Sequence, residues 1–156
     1  MKVDINDSLK KVIALHTKMV NKRVAEQAAF RCAVLYKEQL ISNILTNRYH
    51  FTLSIRQIQK RLKLGFNPYP PLFMSGAYVG AIIIKDGNKV TVRSGRHPCK
   101  LSFAELSDIL EYGRLDKKIP ARPVWSLTLK GMKTVFKQVY REEIQGLLKK
   151  VRAKND

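Results

Sequence analysis

The chain has 156 residues, 45% of them hydrophobic, with 8 glycines and 6 prolines; this composition builds a folded domain with its own core and excludes a basic disordered tail. Thirty Lys and Arg against twelve Asp and Glu give a net charge of +18, which attracts DNA, RNA, anionic membranes or acidic proteins without choosing among them. Cys32 and Cys99 are the only cysteines, so a disulfide framework is excluded and a reducing compartment is expected.

The charge lies at the two ends. Residues 1–64 carry 13 basic and 4 acidic side chains, residues 65–113 carry 5 and 4, and residues 114–156 carry 12 and 4. Two basic faces on one body fit this distribution better than a single nucleic-acid groove. No apolar run reaches the ~18 residues of a membrane span, and the start MKVDINDSLKK has no apolar signal core. A chain made in the cytoplasm, with neither export signal nor membrane span, is therefore expected.

From about Asp7 to Leu45 there is no Gly or Pro, and Leu9, Val12, Ile13, His16, Met19, Val20, Val24, Ala28, Leu35, Ile41 and Leu45 fall near a helical period. One long helix within residues 1–48 is predicted, with Asp7 or Ser8 as its N-cap. At ~1.5 Å per residue it would run roughly 60 Å, against a diameter of about 40 Å for a compact domain of this size. It either breaks near Arg31 or Asn43 and folds back, or buries its apolar stripe against neighbouring copies. Lys10, Lys11, Lys18 and Lys22 recur opposite that stripe, as a solvated face or as phosphate contacts.

Residues 49–70 hold a short basic helix and a proline-rich linker. In FTLSIRQIQKRLKLG, Ser54 can cap, Ile55, Ile58 and Leu62 share a face, and Gly65 can end the helix. Arg56, Lys60 and Arg61 make it basic. The stretch looks like the first half of a helix-turn-helix, but FNPYPPL follows where a second helix should begin, and its prolines remove backbone donors and fix φ.

Residues 71–123 change period. AYVGAIII and KVTVRSG flank Lys85-Asp86-Gly87-Asn88, so a β-hairpin is predicted, with Gly76 as the turn before it and Gly and Asn tolerating positive φ at its tip. LSFAELSDILEYG then reads as a short helix capped by Ser102, boxed by Glu105 and stopped by Gly113. In IPARP, Pro120 and Pro123 hold the path rigid. Arg122 between them suits a carboxylate on a neighbouring element or subunit, or else caps an internal carbonyl.

From about Val124 to Val151 helical spacing returns through Leu127, Leu129, Met132, Val135, Phe136, Val139, Tyr140, Ile144, Leu147 and Leu148. A second long helix over 124–152 is expected, weakened at Gly131 and Gly146, with Lys130, Lys133 and Lys137 as a second basic face. The whole is a single domain of α+β class: a long N-terminal helix, a small antiparallel sheet around one hairpin, a short helix and a long C-terminal helix.

Signals for an enzyme are weak. Neither a phosphate-binding glycine loop, a nucleophile elbow nor an H-E-x-x-H pair occurs. His97-Pro98-Cys99 lacks a second ligand pair at zinc spacing; a loop histidine beside a buried cysteine is the expectation. His16 reads as packed and His50 as exposed. Adjacent Glu142 and Glu143 should face different directions and form no acid–base pair. No catalytic residue, cofactor or metal is expected.

Four pieces in order resemble a known family. PPLFMSGAYVGAIII, DGNKVTVRSG, LSFAELSDILEYG and IPARPVW are similar to the neck, head–tail connector and tail-completion (virion morphogenesis) proteins of long-tailed bacteriophages, over roughly residues 70–140. The matching positions are Pro71, Leu72, Ser75 and Gly76; Glu111, Tyr112 and Gly113; and Ile119, Pro120, Ala121, Arg122 and Pro123. Val124 stands where the family usually has an aromatic, with Trp125 one place later, and Arg114 replaces the usual Thr. The resemblance implies a non-enzymatic subunit of a ring, commonly of six copies, at the junction of head and tail. Its partners would be itself, adjoining connector, head-closure, tail-terminator or tail proteins, and genomic DNA in the channel, with no membrane. Glu111, Tyr112, Gly113, Ile119, Pro120, Arg122, Pro123 and Trp125 would form an interface.

Overall fold

A computed structural model describes the backbone of residues 5–70, 76–97, 100–117 and 119–153, and the side chains of those between 22 and 150. Helix α1 (Ile5–Leu45) runs 41 residues without interruption, about 60 Å, so the chain does not fold back at Arg31 or Asn43. Asp7 and Ser8 lie inside it rather than capping it, because helical backbone already holds at Ile5 and Asn6. Asn47 (φ 48°) and His50 (φ 53°) then reverse the chain. The Asn47 amide clasps Phe51, accepting from its N–H and donating to its C=O, each at 3.0 Å.

Helix α2 (Ile55–Lys63) is capped by Ser54 as expected, and Gln57 completes a capping box that the sequence reading did not name, the two side chains reciprocally bonded to each other's backbone. It ends in a Schellman motif: Gly65 at φ 74° donates to Leu62 C=O and Phe66 N–H donates to Arg61 C=O. No residue of α2 is buried. No second helix follows at helix-turn-helix spacing among the described residues: 66–70 are not helical, and the next helix is a single turn.

That turn, α3 (Ala77–Gly80), replaces the expected start of the first strand. Gly76 enters it at φ 73°, and Gly80 N–H closes it on Gly76 C=O at 2.9 Å; the coil turns Tyr78 into the core, at 3% exposure. Strands β1 (Ile82–Lys85) and β2 (Lys89–Val92) pair antiparallel, Ile82 with Val92 and Ile84 with Val90, which puts these four apolar side chains on one face. Asp86 (φ 54°) and Gly87 (φ 73°) take the two central turn positions. Asp86, rather than Asn88, thus carries the left-handed backbone beside Gly87, as a type I′ turn requires.

Helix α4 (Phe103–Tyr112) has the Ser102–Glu105 capping box and stops at Gly113. The expected C-terminal helix is two: α5 (Val124–Gly131) and α6 (Lys133–Arg152), with Met132 out of helical geometry at φ −94°, ψ 0°. Gly131 has no side chain to hold the turn, and the break lets Met132 bury itself. Gly146 stays inside α6.

α1 is the spine of the domain. Its Leu40 and Ile44 meet Tyr78, Ala81, Ile82, Phe103 and Val124 in one core cluster, where full burial of each aliphatic side chain stabilises the fold by about 1.5–3 kcal/mol. α5 and α6 return along it antiparallel. Asn43 lies opposite Thr128, Tyr36 opposite Phe136, and Arg31 opposite Glu142 and Glu143. Carried on to Arg152, this register reaches α1 near Val20, so the first ~15 residues of α1, roughly 23 Å at helical rise, project past the end of α6.

A buried polar cluster fixes that register. Asn43 donates to Thr128 Oγ1 at 2.8 Å and to Tyr49 Oη at 3.2 Å, and its carbonyl accepts from Gln39 at 2.9 Å. The α1–α6 seam is held further out by Arg31, which reaches Glu143 at 2.6 Å and Glu142 at 3.1 Å. The two glutamates therefore converge on one guanidinium, contrary to the expectation that they diverge. Helix side chains this long bend across the arc that separates neighbouring positions.

Candidate protein-interaction surface

Of the motif residues, Glu111, Tyr112 and Gly113 and the segment from Ile119 to Pro123 meet at one place, the elbow between α4 and α5. Pro123, the N-cap of α5, has no side-chain oxygen to accept from the helix's first amides. Glu111 supplies one from the last turn of α4: its carboxylate accepts from Trp125 N–H at 3.1 Å and Ser126 N–H at 3.0 Å. A carboxylate facing two orphan donors at the positive end of a helix stabilises it. The end of one helix thereby starts the next.

Gly113 makes the short turn possible. It sits at φ 76°, ψ −173°, and a Cβ there would stand 2.7 Å from both Ala121 N and Ile119 O. Beyond it, Arg114 and Ile119 exchange backbone bonds of 2.8 and 2.9 Å, closing a loop over the 3-10 turn Leu115–Lys117. Arg122 is only 5% exposed; its backbone N–H donates to Leu110 C=O and its guanidinium donates to Thr52 C=O at 3.0 Å. Of the two roles expected for it, the internal carbonyl is the one occupied.

Trp125 is a strut within the chain. Its indole N–H donates to Tyr78 Oη at 2.8 Å, Tyr78 O–H donates to Ser107 at 3.1 Å, and Tyr36 O–H donates to Trp125 C=O at 2.8 Å. Burial, then the charge of Glu111, pushes the Tyr36 phenol well up; burial does the same at Tyr78, partly offset by its hydrogen bonds to Ser107 and Trp125. Both remain neutral donors at any ordinary pH.

The elbow thus presents an outer face made from few of the expected residues. Glu111, Gly113, Arg122 and Trp125 spend their polar groups inside the chain, whereas Tyr112 is 80% and Leu115 98% exposed, with Pro120 and Ala121 also on the outside. Leu115 escaped the sequence reading because no periodic pattern covers a 3-10 turn. Pro71, Leu72, Ser75 and Cys99 lie outside the described residues. Gly76, Asp86 and Gly87 sit in the turns assigned to them.

The basic faces are mostly solvent-facing. Arg56, Lys60, Lys130, Lys133 and Lys137 are exposed, and Lys22, also exposed, approaches Glu26 at 3.9 Å; Lys10, Lys11 and Lys18 fall on the projecting part of α1. Arg61 differs: half-buried, it donates to Pro68 and Pro70 carbonyls at 3.0 and 3.4 Å, tying the proline linker to α2. Burial, and then Arg122 nearby, lowers its pKa. His50 is exposed, as expected. His97 is buried, edge-on to Phe103 at 6.2 Å, and burial lowers its pKa.

A cleft of about 730 Å³ opens between α2, α4 and the elbow. Leu64, Phe66, Leu106 and Ile109 are among its apolar lining, with Lys60 and Lys117 on its walls. Among the described residues no group of three or more His, Cys, Asp and Glu is placed to hold a metal ion, and no helix is long and apolar enough to cross a membrane. No protein-family model, curated protein or solved structure matches the chain.

Proposed function

We propose that the chain is a structural virion protein of a tailed bacteriophage, a subunit of an oligomeric neck or tail-completion ring, hexameric by resemblance, that joins the DNA-filled head to the tail. The observation that carries this reading is the projection of α1 past the end of α6. A helix of that length gains most of its stability from packing, and in a ring the adjoining copy supplies the missing surface through a heterologous contact that closes on itself. Exposed Phe30, Tyr140, Ile144 and Leu148, each more than 40% accessible, leave apolar surface along the α1–α6 arm for a neighbour to cover. The elbow adds a rigid corner with Tyr112 and Leu115 on its outside. Adjoining connector, head-closure, tail-terminator or tail proteins are the expected partners, with genomic DNA in the channel, and no catalytic step is proposed.

Electron micrographs of the purified protein, alone and mixed with portal or tail components, test the reading. Rings are expected. Deleting residues 1–20, or substituting Tyr112→Ala together with Leu115→Ser, should abolish them while the monomer stays folded; a wild-type protein that stays monomeric and never enters virions overturns the proposal. A second reading, non-specific nucleic-acid binding, is favoured by α2, which buries nothing and exposes Arg56, Lys60 and Lys63. It requires complexes in gel-shift assays at physiological salt and a log–log salt slope of about −0.9 per phosphate contacted.

A further inference from the structure

We propose that the cleft between α2, α4 and the elbow is a docking site for an acidic segment of a partner protein, one that carries glutamate or aspartate beside leucine or phenylalanine. The inference stands apart from the ring reading, because the cleft is complete within one copy.

Two features of the lining define the occupant. Eight of the fourteen described lining residues are aliphatic or aromatic and five are Lys or Arg, with no carboxylate among them. α2, moreover, is amphipathic and buries no residue; Leu64, which lines the cleft just past its end, is 57% exposed. An apolar floor of this kind is stabilised by covering it with apolar side chains.

The charge is the more selective feature. Of the five cations, Arg114 is paired with Asp116 at 2.9 Å. Arg122 is buried, yet its guanidinium bonds to the neutral carbonyl of Thr52, and no described carboxylate lies within 4.0 Å of it. Lys60 and Lys117 likewise have no described ion pair. A buried guanidinium with a neutral acceptor is held at a cost that an incoming carboxylate relieves, through a planar fork suited to it.

The same lining argues against nucleic acid. A volume of 730 Å³ lies within the ~300–1,000 Å³ typical of ligand-binding clefts and does not admit a duplex, and a hydrated phosphate backbone gains nothing from a leucine floor. A peptide supplies both halves of the match.

The test is fluorescence anisotropy on the full chain at physiological salt, with a labelled peptide alternating glutamate with leucine and phenylalanine and a counterpart with glutamine for glutamate. The acidic peptide should bind at least about tenfold more tightly than the glutamine peptide, since neutral side chains forfeit the charge pairing. Lys60→Glu with Lys117→Glu should weaken it by about tenfold, whereas Lys130→Glu with Lys137→Glu, an equal charge change away from the cleft, should leave affinity within about twofold. All four lysines lie outside the core, and circular dichroism verifies folding of both double variants. Methyl NMR should place the acidic peptide on Leu106 and Ile109. Absence of binding, equal binding of the two peptides, or equal losses in the two double variants would each overturn the proposal, as would a short DNA duplex that displaces the peptide and shifts the same methyls.

Discussion

Replacing Gly113 by Ala is the most direct probe of the elbow. Two costs arise at this position. The backbone sits at φ 76°, ψ −173°, a region essentially reserved for glycine, where an L side chain costs about 1–3 kcal/mol. The added Cβ also falls 2.7 Å from Ala121 N and Ile119 O, both backbone atoms of a loop already closed by the Arg114–Ile119 bonds, so the loop must shift by several tenths of an ångström. Overpacking against such neighbours adds about 1–3 kcal/mol, for a total of about 2–6 kcal/mol. In a chain of this size that lowers Tm by roughly 4–24 °C. Gly87→Ala supplies a comparison, since Gly87 also has a positive φ, 73°, with nothing within 4 Å of its Cβ; a left-handed backbone alone costs about 1–2 kcal/mol, roughly 2–8 °C. Thermal unfolding of the two variants side by side, followed by circular dichroism, separates the contributions. If Gly113→Ala loses no more than Gly87→Ala, the close approach of the IPARP segment to the end of α4 is wrong, and with it the account of why a glycine stands there.

Two further outcomes follow from the same geometry. Glu111→Ala should destabilise the fold by about 1–2 kcal/mol, the usual cost of a lost cap; Glu111→Gln, which keeps one acceptor oxygen, should lose less, and urea midpoints measure both. His97 is buried and its pKa is depressed, so the unfolded chain binds its proton more readily than the folded one. Its contribution to stability is therefore complete above the ordinary histidine pKa of about 6.5 and is lost as pH falls through the folded value. Urea midpoints at pH 7.5 and 5.5 should show a drop that shrinks in His97→Gln, and an undiminished drop would assign it to other groups.

What could be read from the sequence was local. The Ser54 cap, Ser102 with Glu105, and Asp86-Gly87 act over two or three residues, and each was visible in its own short stretch because donor, acceptor and backbone angle are neighbours in the chain. The misreadings lay where tertiary contacts outweigh propensity. AYVG has strand-like composition, but burying Tyr78 against Trp125 and Ser107 takes a helical turn. The break at Met132 follows from a side chain turning inward, to 7% exposure. At the elbow, the motif identified the right residues without their tasks: the partners of Arg122 and Trp125 lie 70 and 47 residues away, distances over which no spacing rule operates. Arg122 and Trp125 are therefore poor reporters of assembly, since replacing either disturbs the monomer first; exposed Tyr112 and Leu115 are the cleaner positions.

The polar cluster around Asn43 acts as a key for the phase of the helical arm. Sliding α5 by one turn along α1 would bring Val124 or Met132 opposite Asn43 in place of Thr128, leaving a buried amide without its partner, at a cost of about 1–3 kcal/mol. An all-hydrophobic seam would tolerate such a slip; this one has a single setting. Every molecule therefore holds its N-terminal helix at the same reach and angle relative to the hairpin and elbow, and presents one geometry to whatever it meets.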